Sequence, residues 1–338
     1  PSKAPFDMYY ADYRPGVKLY VKRVYITDDD KDLLPSYLRF VRGIIDSEDL
    51  PLNVSREILQ ENRVMVSIRN ASVKKLLGEF RKISENNPEL YAKFIAEYNR
   101  PLKEGLYSDY ANRETLLELV RYKSSSEEGY VSLKQYKERM KDGQKAIYYI
   151  TGGKEDVLRT SPLVAAYKEK GYEVLIMSDD IDDIVIQSIG EYDKTPLKAI
   201  NKQGAMDDLR SDEDKAKEEE KKPVAEKMKK ALGDKVRDVI ISTRLVSTPA
   251  AVILGDDDPS VQMQRILKQM GASDMPEVKP ILEVNPDSPV IQKIEKSEDE
   301  SFVSALSSVV LDQALIQEGV MPSDPAAFAA NLSDILGR

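Results

Sequence analysis

The sequence predicts a mixed α/β chain of α+β type, and three observations carry that reading. Residues 17–26 (VKLYVKRVYI) are rich in β-branched and aromatic side chains, as a strand is. Residues 131–200 alternate short apolar runs with helical patterns, which argues for a small α/β layer with parallel strands. The chain then closes on two apolar helical patterns, 300–318 and 325–336, joined by a short loop.

Each element follows from local pattern. In residues 33–45, Leu34, Tyr37, Leu38, Val41 and Ile45 stand at helical spacing and predict a helix, which Pro51 in the segment 46–53 breaks. A long helix is expected over 55–85, with the stripe Met65, Ile68, Val73, Leu76, Leu77, Phe80 and Ile83, and further helices through Leu119. Residues 146–150 (AIYYI), 173–177 (EVLIM) and 196–200 read as strands. Between them, 162–170 reads as a helix stopped by Gly171, and 179–189 as another helix. Residues 207–222 carry eight acidic and five basic side chains with few apolar anchors, and are read as a flexible charged joint. Beyond it, 236–245, 250–254 and 281–284 read as strands. Asp258-Pro259 starts a capped helix that Gly271 ends.

The 338 residues suggest two or three domains. The chain has no His, no Cys and no Trp. That excludes Ser-His-Asp and Cys-His catalysis, imidazole–metal sites, disulfides, zinc knuckles and iron–sulfur clusters. With 50 Lys and Arg against 59 Asp and Glu, the net charge is −9, poorly suited to nucleic acid or an anionic membrane surface. No apolar run approaches the ~20 residues needed to span a bilayer. The acidic runs Asp28-Asp29-Asp30 and Asp256-Asp257-Asp258 match no calcium loop, so no metal site is expected.

Four features bear on chemistry or binding. Thr151-Gly152-Gly153-Lys154 joins a strand to a helix but fits neither phosphate-loop pattern, and reads as a tight turn. Arg56, at a helix start, can reach a phosphate as a guanidinium clamp or form a surface ion pair. Met263, Ile266, Leu267 and Met270 form one helical stripe, which the residues alone assign to core before an adaptable binding surface. The helix 300–318 is apolar on more than one face, so a bundle and a two-fold dimer contact are implied, needing ~1,200–2,000 Å² of buried area.

Tyr37-Leu38-Arg39-Phe40-Val41-Arg42-Gly43, followed by Asp46-Ser47-Glu48-Asp49-Leu50-Pro51-Leu52-Asn53-Val54-Ser55-Arg56-Glu57, closely resembles the middle domain of the heat-shock protein 90 family of molecular chaperones. Pro5-Phe6-Asp7, Lys103-Glu104-Gly105, Tyr148-Tyr149-Ile150-Thr151 and Leu311-Asp312-Gln313-Ala314 agree with it. The resemblance implies middle-domain α/β layers with a helical connector (1–122), a small α/β subdomain (123–206), a charged linker (207–222) and a C-terminal dimerisation domain (223–338). It implies a piece of a longer ATP-dependent chaperone whose N-terminal domain would bind ATP and Mg. By that resemblance Arg56 contacts the ATP γ-phosphate, supported by Gln60, and the piece alone hydrolyses nothing. Client contacts fall on Asp183, Ile184, Gln187, Met263, Ile266, Leu267 and Met270. The family often has an aromatic residue where Ile184 stands and Met where Pro259 stands.

The same resemblance implies a parallel V-shaped homodimer closed by a four-helix bundle, with contacts at Phe302, Leu306, Val309, Val310, Gln313, Phe328, Leu332, Ile335 and Leu336. Its expected partners are a second copy, partly unfolded client proteins and co-chaperones, with no nucleic acid and no membrane. The ending Asp334-Ile335-Leu336-Gly337-Arg338 lacks the tails of eukaryotic members. It fits the bacterial cytoplasmic form, with a mitochondrial form second. A dimeric structural scaffold and a carboxylate-dependent hydrolase are the alternatives.

Overall fold

The computed structural model describes residues 1–28, 33–50, 63–260, 263–264, 266–267 and 278–337. The chain divides into two compact units, one formed by Pro1–Arg121, Tyr130–Gln135 and Ile184–Ile189, the other by Tyr122–Gly129, Tyr136–Asp183 and Gly190–Arg338.

In the first unit the strand-like run splits into β1 (Gly16–Val21) and β2 (Val24–Thr27), paired antiparallel. Lys22 and Arg23 form the two-residue turn with φ of 51° and 67°, the left-handed conformation a tight hairpin requires. The helix expected over 33–45 is instead a single 3₁₀ turn, Ser36–Leu38, followed by strand β3 (Arg42–Ser47). The reason is that Tyr37, Leu38 and Phe40 are buried from a turn and a loop, so their spacing mimics a helical stripe without a helix. β3 pairs parallel with β1, giving the order β2-β1-β3.

Helices α1 (Arg63–Asn86), α2 (Pro88–Ser108) and α3 (Arg113–Leu119) follow. Asn87 caps α2 by accepting from Leu90 N–H, and Pro88 fits its first position. The α1–α2 seam is aromatic, with Phe80 meeting Phe94 at 4.7 Å, and Phe40, from the loop before β3, stacks on Tyr98 of α2 at 4.2 Å. Gly105 lets α2 approach closely, since a Cβ there would lie 2.8 Å from Leu116 Cδ1 and 2.9 Å from the Tyr37 ring.

The second unit holds two sheets. The first contains β4 (Tyr122–Ser124), β5 (Ile147–Ile150), β6 (Leu175–Ile176), β7 (Glu191–Tyr192) and β8 (Thr195–Ala199), in the order β4-β6-β5-β8-β7. β5 is parallel to both β6 and β8, and the outer pairs are antiparallel. Helices α4 (Glu155–Thr160) and α5 (Pro162–Glu169) connect the strands; α6 (Asp182–Gln187) carries Ile184–Gln187 of the first unit. The second sheet has the order β9-β11-β10, from β9 (Asp238–Ile241), β10 (Ala250–Ile253) and β11 (Ile281–Val284).

The charge run read as a flexible joint is helical from Asp212: it opens α7 (Asp212–Leu232). Three features make it so. Ser211 and Asp214 form a capping box, acidic Asp212, Glu213 and Asp214 sit at the N-terminus, and Lys229 and Lys230 sit in the last turn, each complementing the helix dipole. The far half buries Val224, Ala225, Met228 and Leu232. Helices α8 (Pro289–Lys296), α9 (Glu300–Gln317) and α10 (Pro325–Gly337) complete the chain. One apolar core joins Tyr148, Leu163, Tyr167 and Ile176 with Leu245, Ala251, Ile253 and Ile281, so the β4–β8 sheet and the β9–β11 sheet share side chains.

Candidate functional site

The Met263 stripe begins at Ser260, which is buried. Its Oγ accepts from Met263 N–H at 3.1 Å, as a helix-capping serine does, and donates to Asp183 Oδ2 at 2.5 Å. The approach to the cap is fixed as well. Asp258 accepts from Gly255 N–H at 2.8 Å and from Arg237 Nη2 at 2.8 Å. Residues 263–264 and 266–267 are helical, and Met263, Ile266 and Leu267 are only partly buried. The residues alone assigned this stripe to core; its side chains in fact keep part of their surface open to solvent. Met270 lies outside the described residues.

Asp183 is buried and acts as acceptor for the Ser260 hydroxyl, so its carboxylate anchors the stripe and does not form an open contact. Ile184 is 37% exposed and Gln187 is exposed on the same short helix, α6. Arg56 and Gln60 lie outside the described residues.

The C-terminal helices place the remaining candidates unequally. Leu306 and Val310 belong to the apolar core formed with α7, β9–β11 and α8, and Val309 is buried too. Phe302 and Ile335 pack partly against that core. Gln313 is exposed, Phe328 and Leu332 are partly exposed, and Leu336 is 78% exposed. Ile316, one of the apolar residues of helix 300–318, is exposed, and Met321 adds exposed apolar surface that the sequence pattern did not single out.

Thr151-Gly152-Gly153-Lys154 is a tight turn between β5 and α4, with Gly152 at φ +95°. Thr151 and Gly152 line a cavity of about 20 Å³, too small for a phosphate. Among the described residues no group of three or more acidic side chains is placed to hold a metal ion, and no helix is long and apolar enough to cross a membrane.

Sequence reasoning missed one polar network altogether. Arg244 and Glu283 are both buried, with Nε–Oε1 at 2.9 Å and Nη2–Oε2 at 2.7 Å. Arg244 Nη1 donates to Ile200 O at 3.0 Å, and Ser242 Oγ donates to Glu283 Oε1 at 2.7 Å. Burial alone would lower the Arg244 guanidinium; the Glu283 charge more than offsets it and leaves it raised. The available signal was Glu283 itself, an acid inside the apolar run Ile281-Leu282-Glu283-Val284.

The family model described as Hsp90 protein matches residues 1–338. Chaperone protein HtpG of Treponema denticola is 56% identical over 344 residues, covering 99% of this chain and 54% of the relative. HtpG of Treponema pallidum is 51% identical over 346 residues, and that of Sulfurovum sp. strain NBC37-1 52% over 336, each again matched over 54% of its length. The chain thus spans about half the length of the curated relatives it matches. With its whole length matched and half its residues shared with these bacterial chaperones, the chain belongs to the Hsp90 protein family.

Proposed function

We propose that this chain is the middle and C-terminal part of an ATP-dependent bacterial chaperone that acts in the cytoplasm on partly unfolded client proteins. The observation that carries this reading is the Met263–Ile266–Leu267 stripe, left partly open while its cap is buried and hydrogen-bonded. Unbranched, polarizable Met and flexible aliphatic side chains adapt to many apolar surfaces, which suits clients that share no sequence. Ile184 and Gln187 supply further exposed client contacts. The acidic surface keeps a protein with open apolar side chains soluble.

In this reading Gln313, Ile316, Phe328, Leu332 and Leu336 meet a second copy in a four-helix bundle, because Leu306, Val309 and Val310 are enclosed by the chain's own elements. ATP and Mg belong to the rest of the longer protein, with Arg56 and Gln60 reaching the γ-phosphate. The test is suppression of thermal aggregation of an unfolding client. Met263→Asp should weaken it several-fold while leaving the far-UV spectrum and thermal midpoint nearly unchanged. Full suppression by that variant contradicts the reading.

A further inference from the structure

Glu318 closes the C-terminal end of α9, its N–H bonded to Leu315 O and Ile316 O. Its side chain turns back against the fold and keeps only part of its surface open to solvent. Oε1 accepts from Ser161 Oγ at 3.2 Å, and Ser161 is the buried cap of α5. The carboxyl lines the cavity of about 20 Å³ together with Thr151, Gly152, Asn201, Val252, Leu254, Ser260, Leu315 and Val320. That volume suffices for about one water.

Asn201 supplies the second half of the arrangement. Its Nδ2 donates to Thr151 O at 3.0 Å, which fixes the amide and leaves Oδ1 as a buried acceptor without a partner. An ionised Glu318 would add only further acceptors to the same cavity, whereas a carboxylic acid carries an O–H donor. A buried acceptor beside a carboxyl is satisfied when that carboxyl keeps its proton.

The surroundings agree. No lining residue other than Glu318 is charged. Asp183 is hydrogen-bonded to the lining Ser260. From α4, Val157 faces the turn at Gly319, while Glu155 and Arg159 pair with each other at 2.9 Å. On α9, Asp312 is a further acid, two turns before Glu318. Burial raises the Glu318 carboxyl to about 7, against a smaller opposing effect of the Ser161 hydrogen bond.

We propose that Glu318, Asn201 and Ser161 form a proton-operated latch. Protonated Glu318 donates to Asn201 Oδ1, directly or through one water, and ties the end of α9 to the segment that follows β8, while Ser161 Oγ donates to Oε1; loss of the proton removes the bond to Asn201. The chain has no His and no Cys, so the usual side chains that titrate between pH 6 and 8 are absent. The sign follows from linkage. A carboxyl whose folded value lies above its ordinary one stabilises the fold fully at low pH, and that stabilisation is lost as pH rises from about 4.5 through about 7.

The experiment pairs thermal midpoints from pH 5.5 to 8.5 with ¹³C NMR titration of the Glu318 carboxyl, assigned by its absence in Glu318→Gln. The wild-type midpoint should fall by a few degrees, on the order expected for a change in one buried group. Glu318→Gln, a permanent neutral donor, should remove the fall and exceed wild type at pH 8. Asn201→Ala should lower the Glu318 titration midpoint. An equal pH slope in Glu318→Gln, a Glu318 carboxyl titrating in the ordinary range, or an unchanged midpoint in Asn201→Ala overturns the proposal. The NMR titration of the wild-type chain decides it even if a variant fails to fold.

Discussion

Arg244 and Glu283 form a bidentate ion pair in which both side chains are essentially sealed from solvent, at 1% and 0% exposure. Taking two charges out of water is costly, and the return depends on every hydrogen bond being made. Here the remaining groups are served by Ile200 O and the Ser242 hydroxyl.

Removing one partner strands the other. Arg244→Met should cost about 3–5 kcal/mol in urea unfolding, because Glu283 is left as a buried unpaired carboxylate. The double change Arg244→Met with Glu283→Leu should recover much of that loss, since apolar replacement of both partners removes the stranded charge. A double variant as unstable as the single one would show that packing, not the charge, sets the cost.

Ser260 links the open stripe to Asp183, so its hydroxyl has two roles at once. Ser260→Ala should lower stability by roughly 1–2 kcal/mol through the lost cap and the buried acceptor left at Asp183. Amide exchange should speed up at 263–267 before it does in α9. Unchanged exchange there would remove Ser260 as the anchor.

The contrast between these two networks marks what the sequence could disclose. The extended character of residues 17–26 (though not the turn that splits them into β1 and β2), β5, α5 and the closing helices were legible because strand composition, caps and apolar period act within ten or twenty residues. β3 was not, since Arg42, Gly43 and Ile44 are all exposed and show no alternation. Nor was the helical state of 212–222, where a dense charge run hid a capping box and a dipole-matched charge order. The short helix α8 went unread although Pro289 marks its start and Ile291 and Ile294 stand on one buried face. At the candidate site the Met263 stripe was legible as a face, but its exposure was not, and Asp183 meets Ser260 across 77 positions that no local pattern connects.

Close approach in α2 gives a third prediction. Gly105→Ala should cost about 1–3 kcal/mol, because the new methyl overlaps Tyr37 and Leu116 and the seam must shift to admit it. Gly78, with open space where its Cβ would stand, serves as the control: Gly78→Ala in the middle of α1 should stabilise the helix slightly.

Self-association gives a fourth. Leu332→Glu combined with Leu336→Glu should shift the sedimenting species from dimer to monomer with little change in thermal midpoint, as both residues keep surface open to solvent. A wild-type chain that sediments as a monomer at tens of micromolar contradicts the bundle.

The central claim, that the Met263 stripe receives unfolded polypeptide, is tested most directly by a photoreactive side chain placed at position 263. Illumination with a heat-unfolded client should yield a covalent adduct at that position, with none from the same client in its folded state and none from a probe at exposed Leu90 on α2. No adduct with the unfolded client, or equal yields from positions 263 and 90, would contradict the account.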